Sequence, residues 1–339
     1  MLSKSANAKN PDNFLLGSVL AALESAHSVA TGARPEATAR LIVAVSGGED
    51  SVTLLDSLLR LAEEFPMELA ICHVDHRLRE ESPEEAEFVR ELARFHSLEF
   101  FLKVSETLPK GENLESWARE QRYTFFEKCR EAFGAGCILT AHHQNDQAET
   151  LLFRLLTGRL LTQMHNISLF DEKRKLLRPL LMVPKSEIRD YVRRNSLSFV
   201  TDSSNLDLGR TRNRIRHDLL PKICSEYNPK VAETLSDFAK RASDDEDYLN
   251  EEVERIVRAH SEEASGLSFE ELPDAIGWRV LRGLAACEVG RVAYKVGYRS
   301  YCRLLEFVAP MPGEAKTIEL GFGLCARVQR SKGLQFFLD

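Results

Sequence analysis

The chain has 339 residues, of which 43% are hydrophobic, and it carries a formal net charge of −7. That length suits two domains with a sizeable core, since about 100–200 residues per domain are typical. No stretch approaches the roughly 20 uncharged apolar residues that a membrane-spanning helix needs, so we expect no membrane association. The seven cysteines include no CxxC pair, which argues against a disulfide framework, a zinc ribbon or a cysteine-held cluster and favours a reducing cytoplasm.

The first two hundred residues alternate short apolar runs with longer amphipathic segments. Buried strands are predicted at Leu41–Val45, Leu69–Val74, Glu99–Val104 and Cys137–Ala141. Helices are predicted at Ser51–Glu64, Pro83–His96, Asn113–Phe133 and Asp146–Leu156. This alternation predicts an α/β fold with a doubly wound, mostly parallel sheet, in which ligands bind beyond the carboxyl ends of the strands.

Three parts of the chain are expected. Residues 1–38 are predicted to be a leader and a helix, residues 39–225 an α/β domain, and residues 226–339 a helical domain that ends in a small β element at Lys316–Leu338. Within the α/β domain, one helix is expected to start near Pro184, since proline suits a first helical turn, and a helical region around Leu219.

Charge is distributed unevenly along the sequence. Between Lys173 and Lys222 thirteen Lys and Arg face five Asp and Glu, an excess of eight positive charges that we call the basic stripe. Between Val231 and Glu263 eleven acids face four bases. A basic stripe on an acidic protein can attract a polyanion to one face, although a solvated charged surface is the plainer explanation.

A glycine-rich loop follows the first predicted strand. It consists of Ser46, Gly47, Gly48, Glu49, Asp50 and Ser51. Glycines allow a sharp turn and close approach of a ligand, and amides at the start of a helix attract anions. The serine hydroxyls can donate to phosphate oxygens, and the Asp50 carboxylate suits a magnesium ion that bridges phosphates. The loop therefore predicts a phosphate site; the alternative is a simple turn capped by Ser46 or Asp50.

The loop lacks the lysine of the Walker pattern. It resembles the SGGxDS signature of the PP-loop ATP pyrophosphatase superfamily, whose members cleave ATP between the α and β phosphates and adenylate an oxygen of a substrate. The resemblance implies that Ser46–Ser51 binds ATP through the pyrophosphate that leaves. It indicates the reaction type and not the substrate.

Five further segments narrow the resemblance. In chain order they are His73–Arg79, Ala118–Tyr123, Thr140–Thr150, Arg178–Leu180, and Asp202–Asn205 together with Arg212–His217. With the glycine loop they resemble the tRNA(Ile)-lysidine synthetase family over roughly Leu41 to Pro221. The C-terminal region is similar to that family's first C-terminal domain only in length and character.

The resemblance implies a ligase that uses ATP and Mg²⁺. The C2 oxygen of the first anticodon cytidine, in the isoleucine tRNA with anticodon CAU, would be adenylated, and the ε-amine of free L-lysine would then displace AMP. Residues 39–225 would catalyse the reaction and residues 226–339 would recognise the tRNA, with a homodimer left open. Recognition of lysine's ammonium needs carboxylates, and Glu149 and Asp202 are both candidates.

His142 and Asp146 are four residues apart, so a helix that starts here would place them on one face. Such a pair near the α phosphate could position cytidine, take a proton or assist a metal. For His143 a capping or core role is favoured.

Arginines alternate at Arg212, Arg214 and Arg216. In an extended chain all three would lie on one side, whereas in a helix Arg212 and Arg216 would share a face. Guanidinium groups suit phosphate oxygens and the charge that grows on an adenylating phosphate. The resemblance makes Arg212 and Arg216 the stronger catalytic candidates; the alternative is contact with the tRNA backbone.

The remaining substrate candidates are less specific. Asp75 and His76 end the second strand, where adenosine or cytidine could lie. Arg119 and Arg122 share a helical face and could reach a substrate phosphate or the lysine carboxylate; ion pairing on a helix surface is the alternative for both.

Two other functions compete with the ligase. A PP-loop tRNA-thiolating sulfurtransferase would need a cysteine pair, which the missing CxxC disfavours. An RNA- or nucleotide-binding module without catalysis would explain the loop and the basic stripe but not the carboxylates and His142.

Overall fold

The computed structural model describes residues 12–30, 38–75, 77, 82–105, 114–157, 167–201, 209, 211–260, 267–309, 314–329 and 333–339. The chain divides into two compact units. Unit 1 comprises Met1–Phe153 and Asn166–Asp237, and unit 2 comprises Arg154–His165 and Phe238–Asp339. The predicted leader lies outside the described residues. In the described part of the chain, every helix is too short or too polar to cross a bilayer.

Unit 1 is built on a six-stranded sheet. Its strands are β1 (Ala39–Ala44), β2 (Met67–Asp75), β3 (Glu99–Val104), β4 (Cys137–Leu139), β5 (Phe170–Asp171) and β6 (Leu176–Leu177). They lie in the order β3-β2-β1-β4-β6-β5, with every pair parallel except β5 and β6. The predicted mostly parallel α/β fold is confirmed.

Helices cover both faces of this sheet. They are α1 (Asn13–Ala30), α2 (Glu49–Leu61), α3 (Ser82–Phe95), α4 (Leu114–Phe133), α5 (Gln144–Leu156) and α6 (Lys185–Arg194). Successive strand residues point to opposite faces. Leu41 and Val43 of β1 accordingly join a core with Leu15 of α1, whereas Ile42 joins a second core with Phe126 of α4.

The chain order of the strands reverses beside β1. From β1 the chain proceeds through β2 to β3 on one side, and β4 and β6 lie on the other. The loops after β1 and β4 therefore diverge at a topological switch point, which is where open α/β sheets bind their ligands.

Two predicted helix boundaries are wrong. Helix α5 begins at Gln144, so His142 precedes it and shares no helix face with Asp146. The reason is capping, because the His143 N–H donates to the Asp146 carboxylate at 2.9 Å and thereby fixes the first turn.

The second wrong boundary is the helical region expected around Leu219, which begins earlier. It comprises α7 (Thr211–Arg214), a π-helical segment (Ile215–Leu219) and α8 (Leu220–Glu226). Ile215 and Leu220 are buried and anchor the segment, so packing draws the polar residues around them into the helix.

Unit 2 is helical and ends in a three-stranded antiparallel sheet, as predicted. It contains α9 (Val231–His260) from Phe238 onward, α10 (Asp274–Val289), α11 (Tyr298–Val308), β7 (Lys316–Gly321), β8 (Leu324–Gln329) and β9 (Gly333–Leu338). Trp278, Tyr301 and Phe336 lie in its apolar core.

Candidate active site

The glycine loop turns sharply between β1 and α2. Gly47 has a φ of +92°, a conformation that side chains disfavour, and its carbonyl accepts the Val200 N–H at 2.9 Å. The Ser51 hydroxyl closes the turn, since it donates to the Gly48 carbonyl at 3.0 Å and accepts the Ser46 N–H at 3.1 Å. The loop is therefore held in shape by its own residues together with Val200, and it leads into the amides at the start of α2, where a helix attracts anions.

The glycine loop contains no lysine, but a lysine from another element, helix α6, lies beside it. The Lys185 ammonium, in the first turn of α6, lies 2.7 Å from a Glu49 oxygen and also contacts the Asp50 carboxylate. The Gln144 N–H donates to the Val183 carbonyl at 3.1 Å, and the Lys185 N–H donates to the Asn145 side chain at 3.2 Å. These bonds fix the start of α6 against α5. Sequence analysis missed Lys185 because 135 residues separate it from Asp50.

His143 joins the loop to α5. Its Nε2 lies 3.6 Å from an Asp50 oxygen and 3.6 Å from an Asp146 oxygen, and its side chain is buried. Burial would lower the pKa of His143, but the two carboxylates outweigh it and raise that pKa. Burial would likewise raise the pKa of Asp50, yet His143 and Lys185 lower it to about 2. The histidine expected to be structural thus lies between two site carboxylates.

His142 occupies a different environment. Its Nδ1 lies 3.0 Å from the Thr140 hydroxyl. Burial lowers the pKa of His142 to about 4, with repulsion from Arg178 and Arg122 acting in the same direction against the attraction of Asp146. The ring is therefore neutral at pH 7 and has a nitrogen that can accept a proton.

Arg212 and Arg216 both contact α5, and the segment that carries them is helical, the alternative in which the two were predicted to share a face. Arg216 donates to both oxygens of Glu149 at 2.8 and 2.9 Å and to Asp146 at 2.9 Å, and Arg212 donates to the Thr150 hydroxyl at 2.7 Å. Arg216 lies in the π-helical segment, a distortion that is frequent at functional sites.

Arg214 is exposed on the same helix. Its guanidinium donates to the Thr211 hydroxyl at 3.2 Å. Arg214 thus bonds within its own helix, whereas Arg212 and Arg216 bond to α5.

The other candidates are distributed as follows. Asp75 is buried at the end of β2 and accepts the Arg77 N–H at 2.8 Å. Arg119 and Arg122 lie against the Tyr123 ring. His76 and Asp202 lie outside the described residues.

Among the described residues, no cluster of three or more His, Cys, Asp or Glu is arranged to hold a metal ion. Asp50 is nonetheless ionised at neutral pH, because its pKa is about 2. One or two carboxylates are the usual protein contribution to a magnesium ion that takes its other ligands from phosphates and water. Glu49 and Asp50, both paired with Lys185 in this structure, match such an ion in number and chemistry, and the donor set does not fit an all-protein metal site.

Known proteins are similar to this chain in sequence or in fold. A family model described as a PP-loop domain matches residues 22–223. A tRNA(Ile)-lysidine synthase of Enterococcus faecalis is 33% identical over 71% of this chain and 50% of its own length, and one of Nostoc sp. is 34% identical over 69% and 68%. The U34-tRNA thiolase NcsA from Methanococcus maripaludis superposes with a TM-score of 0.57 at 13% identity, over 71% of this chain and 82% of its own, and so shares the fold alone.

The chain therefore belongs to the PP-loop domain family and, within that class, to the tRNA(Ile)-lysidine synthase family that its motifs indicated. It spans about half the length of several of the curated relatives it matches.

Proposed function

We propose that this chain is an AMP-forming ligase that joins free L-lysine to C2 of the first anticodon cytidine of tRNA(Ile) with anticodon CAU. The C2 oxygen of cytidine attacks the α phosphate of ATP and pyrophosphate leaves. The lysine ε-amine then attacks C2, the C2–oxygen bond breaks, and AMP leaves with that oxygen. One proton is lost from the amine in forming lysidine.

The observation that carries the proposal is the convergence of the glycine loop with Lys185 at the switch point of the sheet. The turn at Gly47 and the start of α2 offer amide donors for pyrophosphate oxygens, and the Lys185 ammonium lies within 2.7 Å of Glu49 at the same place. Asp50 would hold a magnesium ion, which neutralises phosphate charge when bound. The loop thus suits a pyrophosphate leaving group.

The residues after β4 suit the second half of the reaction. Neutral His142 is in the protonation state needed to accept a proton from the attacking amine. Arg216 is one-third exposed and is oriented by Glu149 and Asp146, so its guanidinium can face a developing phosphate charge. Of the two carboxylates considered for lysine's ammonium, the described one, Glu149, is buried and occupied by Arg216 on both oxygens.

Unit 2 is the part we assign to tRNA recognition. Arg299, Arg303 and Arg327 are exposed on it. The exposed Asp244, Asp245 and Asp247 of α9 repel phosphate, so the contacting face is expected on the basic side chains instead.

The thiolase alternative gains no support from the cysteines. Cys72, Cys129 and Cys137 of unit 1 are buried in its apolar core, where a thiol acts as a small hydrophobe. All seven cysteines are free thiols.

The test is mass spectrometry of digested RNA after incubation of the protein, ATP, lysine and a tRNA(Ile) transcript. Lysidine, AMP and pyrophosphate should appear together. A transcript with uridine in place of the target cytidine, a methionine tRNA transcript and the Asp50→Asn variant are the controls without product. A thiolated base, an unmodified transcript or ADP in place of AMP would contradict the proposal.

A further inference from the structure

Several arginines of unit 1 converge on one aromatic ring. The guanidinium carbons of Arg119, Arg122 and Arg174 lie 5.0, 5.5 and 4.9 Å from the centre of the Tyr123 ring. Cations within about 6 Å of a ring are attracted to its face. Tyr123 therefore holds three guanidinium groups near one another although they repel.

Arg178 adds a fourth positive charge. Its side chain is buried, and its pKa is lowered by burial and by repulsion from Arg119 and Arg174. One of its terminal nitrogens donates to the Ser168 carbonyl at 2.6 Å, whereas its Nε is buried and has no hydrogen-bond partner in the described part of the chain. A buried donor without a partner is costly, so the surroundings of Arg178 satisfy its guanidinium only in part.

Negative charge around these arginines is scarce. Asp171 lies 3.2 Å from Arg174 and 4.0 Å from Arg178, and within the described ranges the four arginines form no other ion pair. Four guanidinium groups thus face one carboxylate. Burial and the nearby Arg119 and Arg212 also lower the pKa of Arg122, so the cluster disfavours its own charges until an anion binds.

The cluster borders the proposed site of base modification. Arg122 and Arg178 are close enough to His142 to lower its pKa, while Arg174 at the other end has a side chain that is 47% exposed. The positive charges therefore extend from the buried site to solvent.

We propose that Arg119, Arg122, Arg174 and Arg178 around Tyr123, the Tyr123 cluster, bind backbone phosphates of the RNA beside the nucleotide that is modified. This inference rests on the proposed function. Lysine has a single carboxylate, which would leave most of this charge unmet, whereas successive phosphodiesters of RNA match a series of guanidinium groups.

The test uses the two exposed members, so that folding is preserved. Arg119→Gln, Arg174→Gln and the double variant are titrated with tRNA(Ile) transcript at increasing salt, without ATP or lysine. Each single change should lower the slope of log affinity against log salt by about 0.7–0.9, and the double variant by about twice that. Arg94→Gln removes a 70%-exposed arginine of α3 and should leave the slope unchanged.

Steady-state kinetics distinguish the two anions that the cluster could bind, an RNA phosphate and the carboxylate of lysine. The KM for tRNA should rise in the Arg119→Gln and Arg174→Gln variants while the KM for lysine stays constant. A raised lysine KM with an unchanged salt slope would assign the cluster to the amino-acid carboxylate and overturn the inference, as would no change in either quantity. Because binding is measured without turnover, a protein that forms no lysidine but shows the lowered slopes would refute the proposed function alone.

Discussion

Unit 1 and unit 2 each place an arginine against a buried carboxylate, with different access to solvent. In unit 2, Arg279 donates to Glu246 at 2.6 Å and both side chains are almost fully buried, at 6% and 4% exposed. In unit 1, Arg216 donates to Glu149 at 2.8 Å and Glu149 is 2% exposed, but the Arg216 side chain remains 35% exposed. The closed pair holds helices together, whereas the open one leaves a guanidinium available to a ligand.

The Tyr123 cluster extends this comparison. Arg216 and Arg279 are neutralised within the protein, but the cluster combines four arginines with the single described carboxylate of Asp171. We infer that the balance of charge around an arginine indicates its use. A neutral, closed pair serves stability, a neutral, open pair leaves a guanidinium that can face charge developing in the reaction, and an excess of positive charge serves to bind an anion.

The largest effect is expected at the closed pair. Arg279→Met should lower the free energy of unfolding by about 3–5 kcal/mol, because Glu246 would remain buried without its partner. Arg279→Met combined with Glu246→Leu should recover most of the loss, since the charge is removed as well. Urea denaturation measures both. A double variant as unstable as the single one would show that the pair is not an isolated ionic contact.

The open pair should affect turnover more than stability. Arg216→Lys keeps the positive charge but loses the two-point contact with Glu149, so the rate of the adenylation step should fall by about 10- to 100-fold, equivalent to the loss of one charge-assisted hydrogen bond. Single-turnover pyrophosphate release is the measurement, with Arg94→Lys as the control. Normal turnover together with reduced unfolding free energy would instead place Arg216 in the same class as Arg279.

The two adjacent histidines should become protonated at different pH values. The pKa of His142 is lowered to about 4 from an ordinary 6.5, so its ring resonances should titrate near pH 4, whereas those of His143 should titrate above 6.5. Between pH 6.5 and 4 the unfolded chain binds the proton that folded His142 does not, so this histidine contributes less stability as pH falls.

NMR of the ring carbons checks the order of the two titrations. Arg122→Gln removes one of the positive charges and should raise the pKa of His142, whereas Arg94→Gln should not. If the pKa of His142 is unchanged in Arg122→Gln, the Tyr123 cluster does not influence the site electrostatically.

The smallest effect concerns one glycine in each unit. Gly47 and Gly290 both have positive φ, and alanine there should cost about 1–2 kcal/mol of stability. A Cβ at Gly47 would make ordinary contacts at 3.5 Å with Val89, and one at Gly290 would meet nothing within 4 Å, so the backbone and not a clash causes the cost. Only Gly47→Ala should also raise the KM for ATP. If the KM for ATP is the same in both variants, the backbone of the glycine loop does not take part in nucleotide binding.

Local patterns were sufficient for much of the fold and part of the site. The short continuous apolar runs that begin at Leu41 and Leu69 predict parallel strands, because a strand buried on both faces needs apolar residues at successive positions. The loop at Gly47 follows from residue types that permit a tight turn. The shared face of Arg212 and Arg216 follows from helical spacing once a helix is assumed.

Contacts between distant elements required the folded chain. Lys185 reaches the loop only because α6 begins beside α5, and His143 faces Asp50 only because the Asp146 cap starts α5 at Gln144. Likewise, Tyr123 and Arg174 are neighbours across elements that are far apart in sequence. Periodicity and propensity act over a few residues, whereas the meeting of charged side chains depends on strand order and helix packing, which the whole sequence determines together.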